Sequence, residues 1–156
     1  MTEKQQENNE KGFAIQRIYT KDMSFESPLA PKVFVQDYKP EISVDIQTKH
    51  ELLDDTHTDV VISVTVTAKY ENQTVFLAEV HQGGIFALQG FSDQEKVPVL
   101  SVACPNILFP YARESISTLI HKGGFPPIYL APVDFESLFA KKVEELQKQS
   151  QDETTH

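Results

Sequence analysis

The chain has 156 residues, of which 40% are hydrophobic and 24% charged, which reads as one globular domain able to bury a core without staples. With 14 basic and 23 acidic residues the formal net charge is −9, a field that disfavours nucleic acid and anionic lipid as partners. A single cysteine, Cys104, excludes an internal disulfide framework, leaves no CxxC pair for zinc and fits a reducing cytoplasm.

Residues 1–12 are polar and charged after Met1 and are expected to form a disordered tail, with no apolar core of a secretory signal. No stretch of the chain has the length of a transmembrane helix. Phe13 to Glu26 has strand character, although its alternation is imperfect. Pro28, Pro31 and Pro40 mark residues 27–40 as a long irregular connection. Ile42, Val44 and Ile46 then alternate with Ser43, Asp45 and Gln47, the pattern of a half-buried strand. From Val60 to Tyr70 the even positions are apolar or aromatic, and Ser63, Thr65 and Thr67 line the other face. Glu71-Asn72-Gln73 has hairpin length, and Thr74 to Leu88 forms a fourth strand in which Gly83-Gly84 predicts a bulge or bend. Consecutive strands on short polar connections predict an antiparallel meander.

Helical spacing follows. Leu108, Ala112, Ile116, Leu119 and Ile120 form a stripe ending at Gly123-Gly124, with Gly123 at the left-handed position after the last turn. Pro110 fits such a helix if it lies in the first turn. Ile107, Tyr111 and Ser115 widen the stripe, so this helix is expected to pack on two sides. Residues 94–104 suggest a preceding helical turn or two, against which Pro98 and Pro105 argue. A last helix starts after Asp134 as N-cap, with Phe135, Leu138, Phe139, Val143 and Leu146 as its apolar stripe, and Gln147 to His156 reads as a flexible tail. The folded unit is thus 13–146, and strands followed by helices mean α+β.

Chemistry-bearing sets are missing from this pattern. His50, His57, His81, His121 and His156 are scattered at no metal-ligand spacing, and Cys104 has no cationic neighbour in sequence to activate it. There is no phosphate-binding glycine motif and no nucleophile elbow. Asp54-Asp55 falls in a polar, turn-like stretch, where a solvated turn fits better than acid–base work. No enzyme, metal or cofactor is expected, and the function should be binding.

Two features bear on what is bound. Asp22, Ser24 and Glu26 share one strand face by period 2, as do Val75, Leu77, Glu79 and His81. These are either an ordinary charged outer face or an acidic patch around Leu77. Ten Phe and five Tyr is a generous aromatic count, and Phe25, Phe34 and Tyr38 lie in or beside the proline-rich connection. They either seal the edge of the core or line an apolar groove for extended peptide, with a strand edge to add backbone hydrogen bonds.

Five stretches carry a resemblance to a known family: Phe13 to Pro28 (FAIQRIYTKDMSFESP), Val33 to Glu41 (VFVQDYKPE), Phe76 to Phe86 (FLAEVHQGGIF), Cys104 to Glu114 (CPNILFPYARE) and Leu130 to Phe139 (LAPVDFESLF). Together they resemble SecB, the bacterial protein-export chaperone, in family order over about residues 13–140. The resemblance implies a four-stranded antiparallel sheet with a long and a shorter C-terminal helix. It implies a homotetramer, a dimer of dimers with the long helices sandwiched between them. It implies an ATP-independent holdase in the bacterial cytoplasm that binds unfolded precursor proteins and passes them to the SecA motor ATPase, with no direct membrane insertion.

Carried over residue by residue, the SecA contact is Asp22, Glu26, Leu77 and Glu79. Apolar excess and position place a client groove around Met23, Phe25, Phe34, Tyr38, Ile42 and Val44. Ala78, Val80 and Gln82 on the fourth strand, with Leu108, Ala112 and Ile116 on the long helix, are expected at the oligomer interface. Tyr38 departs from the Trp of many relatives, and Ala78 and Ser115 stand where cysteine is common. A rival reading is a carrier of one small apolar ligand in a closed sheet–helix pocket. Another is a SecB-like partner of a toxin–antitoxin pair, against which the four SecA-contact matches argue.

Overall fold

The computed structural model describes residues 10–154, so most of the expected N-terminal tail lies outside the described residues. Strands β1 (Gly12–Glu26), β2 (Glu41–Leu52), β3 (His57–Tyr70) and β4 (Gln73–Gln89) form one antiparallel sheet in the order β1-β4-β3-β2. The last three strands are the predicted meander. β1 lies beside β4 and not beside β2, which makes the sheet a Greek key rather than a simple meander. The proline-rich connection therefore carries the chain from one edge of the sheet to the other. It contains one tight helical turn, Lys32–Val35, whose Val33 is buried.

Turn chemistry fixes the hairpins. Tyr70 pairs with Gln73, leaving Glu71 and Asn72 as a two-residue turn with φ of 50° and 63°, the left-handed pair that matches strand twist. Between β2 and β3, Asp54 accepts from the backbone N–H groups of Thr56 and His57 at 2.9 and 2.7 Å. The Thr56 backbone bond, followed by the His57 side chain, holds the Asp54 carboxyl down at about 2, and Asp54 and Asp55 are both exposed in this solvated turn.

The imperfect alternation of β1 has a cause. Gln16 and Lys21 are extra residues opposite β4, between the pairs Ile15–Phe86 and Arg17–Ile85 and between Thr20–Gln82 and Asp22–His81. Each bulge inverts the parity of the strand. Gly83 and Gly84 interrupt nothing, contrary to expectation. They admit close neighbours: a Cβ on Gly83 would collide with the Tyr19 ring, and one on Gly84 would come within 2.8 Å of Phe86 and 2.9 Å of Leu108.

The helical layer is longer than the stripe predicts. Ser92 and Glu95 form a reciprocal capping box that starts α1 (Asp93–Pro98). A wide turn, Val99–Ala103, leads on into α2 (Cys104–Lys122), and the backbone stays right-handed through Pro98, Ala103 and Cys104. Pro98 and Pro105 are thus carried within a helical run, and Pro110 sits inside α2 rather than in a first turn. At the far end Gly124 N–H donates to His121 and Phe125 N–H to Ile120, a Schellman closure. The left-handed residue is Gly124, at φ 89°, one place later than expected. Gly123 stays right-handed and leaves room for the Phe25 ring.

Asp134 caps α3 (Phe135–Glu153), accepting from Ser137 N–H at 3.0 Å. This helix runs to Glu153, so residues 147–153 of the expected flexible tail are helical, and residues 155–156 lie outside the described residues. Gln, Lys and Glu sustain this extension by propensity, since residues 147–153 carry no apolar side chain. Phe135 is the one buried residue among those of α3.

Candidate binding surfaces

The two faces of the sheet differ in what they present. On the outer face Asp22 pairs with His81, Ser24 with Glu79 and Glu26 with Leu77. Asp22, Glu26, Leu77 and Glu79 are therefore brought onto one surface, where Asp22 and Glu26 are exposed and Leu77 and Glu79 half-buried. Thr65 lies beside Glu79, and Thr67 beside Leu77, on the next strand. These short hydroxyl side chains leave Leu77 and Glu79 standing above the floor. Glu79 Oε1 lies 2.8 Å from His81 Nε2.

A depression of about 340 Å³ opens next to them, lined by Ser63 and Thr65 between Glu79 and His81 on β4 and Asp45, Gln47 and Lys49 on β2. The β2 residues were not among those predicted for this face. Their odd-numbered alternation held the signal, but the order of strands did not follow from it.

The inner face has a covered centre and bare flanks. A helix is about 10 Å across and strands lie about 4.8 Å apart, so one helix covers two strands. α2 packs on β4 and β3. Ala78, Val80, Gln82, Leu108, Ala112 and Ile116, expected at an oligomer interface, are all sealed between β4 and α2 within the protomer. The stripe at i, i+4 and i+8 faces the chain's own sheet, and these side chains have no surface to offer a second copy. The exposed side of α2 carries Tyr111 instead.

On the β2 flank, Ile42 and Val44 remain 43% and 45% exposed. The residues predicted for a groove divide between the two edges of the sheet. Phe25 on β1 and Phe34 in the crossover both pack on Phe125, at centroid distances of 6.2 and 5.2 Å. Tyr38 packs on Tyr70 at 5.6 Å, beside the start of β2. Phe25 shares a cross-strand row with Ala78, Val66 and Val44, so the whole sheet separates it from β2. Met23, 46% exposed, belongs to the β1 edge. Phe76 and Phe125, which pack with Phe25 and Phe34, and Tyr70, which packs on Tyr38, complete these two aromatic groups; neither helix nor strand periodicity marks them as neighbours of Phe34 or Tyr38.

Burial pushes the Cys104 thiol up to about 12, which keeps it protonated and inert. Among the described residues no group of three or more His, Cys, Asp or Glu is placed to hold a metal, and no helix is long and apolar enough to cross a membrane.

Comparison with known proteins decides the family. The family model of the preprotein translocase subunit SecB matches residues 5–146. The chain belongs to the SecB family. Relatives named protein-export protein SecB, from Methylococcus capsulatus and Hydrogenovibrio crunogenus, are 46% and 47% identical, covering 94% of this chain and 95% and 96% of theirs. SecB proteins are export chaperones and not enzymes, and so is this chain. The fold is also that of a SecB-like chaperone of Mycobacterium tuberculosis, solved in complex with an antitoxin peptide. The TM-score is 0.62 at 18% identity, over 78% of this chain and 88% of that one.

Proposed function

We propose that this SecB chaperone holds unfolded precursor proteins on its bare inner flanks, without ATP, and docks to the SecA ATPase through its acidic outer face. The observation that carries the reading is the division of the sheet: apolar side chains stay exposed on either side of α2, and the acids stand on the opposite face. A nonnative chain exposes the apolar segments that a native one hides. Each side chain it buries on the chaperone contributes about 1.5–3 kcal/mol. Several weak contacts then add through effective concentration. A fast-folding chain hides its segments before capture, whereas a slow-folding precursor is caught. The peptide bound to the tuberculosis SecB-like chaperone supports a polypeptide client.

For SecA the chemistry is charge complementarity around a dry anchor. Asp22, Glu26 and Glu79 steer a basic domain, and Leu77 offers the apolar centre. Assembly into a tetramer multiplies the client surface. The free β1 edge, where Phe13 and Ile15 are exposed, and the Tyr111 side of α2 are surfaces available for it. Capture before translocation places the protein in the cytoplasm. The carrier reading gains nothing here, since Phe86, Leu108, Ala112, Ile116 and Ile120 fill the sheet–helix layer.

The test takes the full chain, its native mass from light scattering, and a slow-folding precursor diluted from denaturant without ATP. The expected result is a mass near four subunits with aggregation suppressed at stoichiometric chaperone. A monomer that leaves aggregation unchanged would overturn the proposal.

A further inference from the structure

Alternation puts Asp22, Ser24 and Glu26 on one face of β1 but does not choose which face. A single residue makes that choice. Upstream, Tyr19 pairs with Gly83 and faces outward, where its ring lies over Gly83 and its hydroxyl donates to Asp59 Oδ1 on β3 at 2.5 Å. Uninterrupted alternation from Tyr19 would turn Lys21, Met23 and Phe25 outward and drive Asp22 and Glu26 toward the core side. The strand instead inserts Lys21 between the pairs Thr20–Gln82 and Asp22–His81. Parity inverts, so odd-numbered Tyr19 and even-numbered Asp22 share the outer face.

Two side chains fasten the strand just ahead of this insertion. Gln82 is 3% exposed and donates from Nε2 to the Tyr19 carbonyl at 2.9 Å, two residues before Lys21. A buried amide is costly unless it is hydrogen-bonded, and this carbonyl is the partner that offsets the cost. The Tyr19 hydroxyl bridges β4 to reach Asp59, which ties the same peptide to the middle of the sheet. We infer that Tyr19 and Gln82 are positioning residues for the docking face: they pin the Lys21 bulge and thereby set Asp22 and Glu26 beside Leu77 and Glu79. This rests on the outer face being the SecA surface, and it assigns a role to two residues that need touch no partner.

Disulfide trapping in the full chain reads the register without any partner. Ser24→Cys with Glu79→Cys places two thiols on one cross-strand pair, which oxidation closes. Thr65→Cys with Glu79→Cys reports the β3–β4 pair in the same way. In a Tyr19→Phe/Gln82→Met background the β1–β4 crosslink is expected to form slower, on the order of tenfold, with the β3–β4 crosslink unchanged. An unchanged β1–β4 rate, or equal slowing of both crosslinks, overturns the inference.

SecA binding supplies the second arm. In the native background Asp22→Asn and Leu77→Ala are each expected to weaken it by about fivefold or more. In the Tyr19→Phe/Gln82→Met background Asp22→Asn should add nothing, whereas Leu77→Ala keeps its full effect. An undiminished Asp22→Asn effect there overturns the inference. If both substitutions leave SecA binding intact in the native background while the crosslinks behave as expected, the docking reading fails and the register assignment stands.

Discussion

The inner and outer faces of β3 and β4 are built from alternate residues of the same two strands, yet they do opposite work. Inward, Val60, Ile62, Val64 and Val66 meet Ala78, Val80 and Phe86 under α2, all excluded from solvent. Outward, Ser63, Thr65, Thr67, Leu77, Glu79 and His81 stay half-buried. The difference teaches where the stability of the protomer resides: in a strip two strands wide. Whatever lies beyond that strip, the outer face and the inner flanks of β1 and β2, is free to serve partners at little cost to the fold.

That contrast breaks most sharply at α2. Leu108→Ala is expected to cost about 2–5 kcal/mol, read as a fall in the urea midpoint, while Thr65→Ala on the outer face stays within about 0.5 kcal/mol. The adjacent glycines give the same comparison at the scale of one methyl group. Gly84→Ala presses on Phe86 and Leu108 in the closed layer and should cost about 1–3 kcal/mol. Gly83→Ala instead presses on the Tyr19 ring on the outer face, must displace it from its bond to Asp59, and should cost about 1 kcal/mol. On the bare flank, Val44→Ala should cost about 1 kcal/mol or less in the same titration and still weaken precursor retention.

The smallest effect is a pH dependence. Burial first, and then the bond to Asp59, push the Tyr19 hydroxyl from 10.0 up to about 12. The folded state thus holds a proton that the unfolded state releases. Stability from this group is complete below pH 10 and is lost as pH rises from 10 toward 12. Tyr19→Phe should flatten that part of the stability profile relative to the native chain, and an unaltered slope would contradict the assignment.

Legibility in the sequence followed the regularity of each element. In the inner part of β3, from Val60 to Ala68, no bulge intervenes, and its even-in, odd-out pattern was readable directly. β1 carries two parity inversions, so its alternation looked faulty, and only the segment after Lys21 could be read by period 2. Asp22 with Glu26, and Leu77 with Glu79, were each legible as sharing a face because they lie beyond the last inversion in β1 and beyond the extra residue Val75 in β4; Val75 itself, expected beside Leu77, is buried, and joining the two pairs into one quartet took the family resemblance. The start of the helical layer was hidden by Pro98 and Pro105, which local propensity counts against a helix and the wide turn Val99–Ala103 accommodates. Helical spacing marks the apolar side of α2 without saying what it packs on, so Leu108, Ala112 and Ile116, expected at an oligomer interface, turn out to be sealed against the chain's own sheet. Spatial order of the strands decided the flanks, and no local pattern encodes it.

Two separate surfaces on one protomer can be tested in paired titrations of the full chain. SecA affinity and retention of a denatured precursor are measured for Leu77→Ala/Glu79→Gln on the outer face and for Ile42→Asp/Val44→Asp on the inner flank. The expected result is a crossed pattern: the outer-face variant loses SecA by roughly tenfold or more and holds precursor normally, and the flank variant does the reverse. Joint loss of both activities in either variant would contradict the division of labour between the two faces.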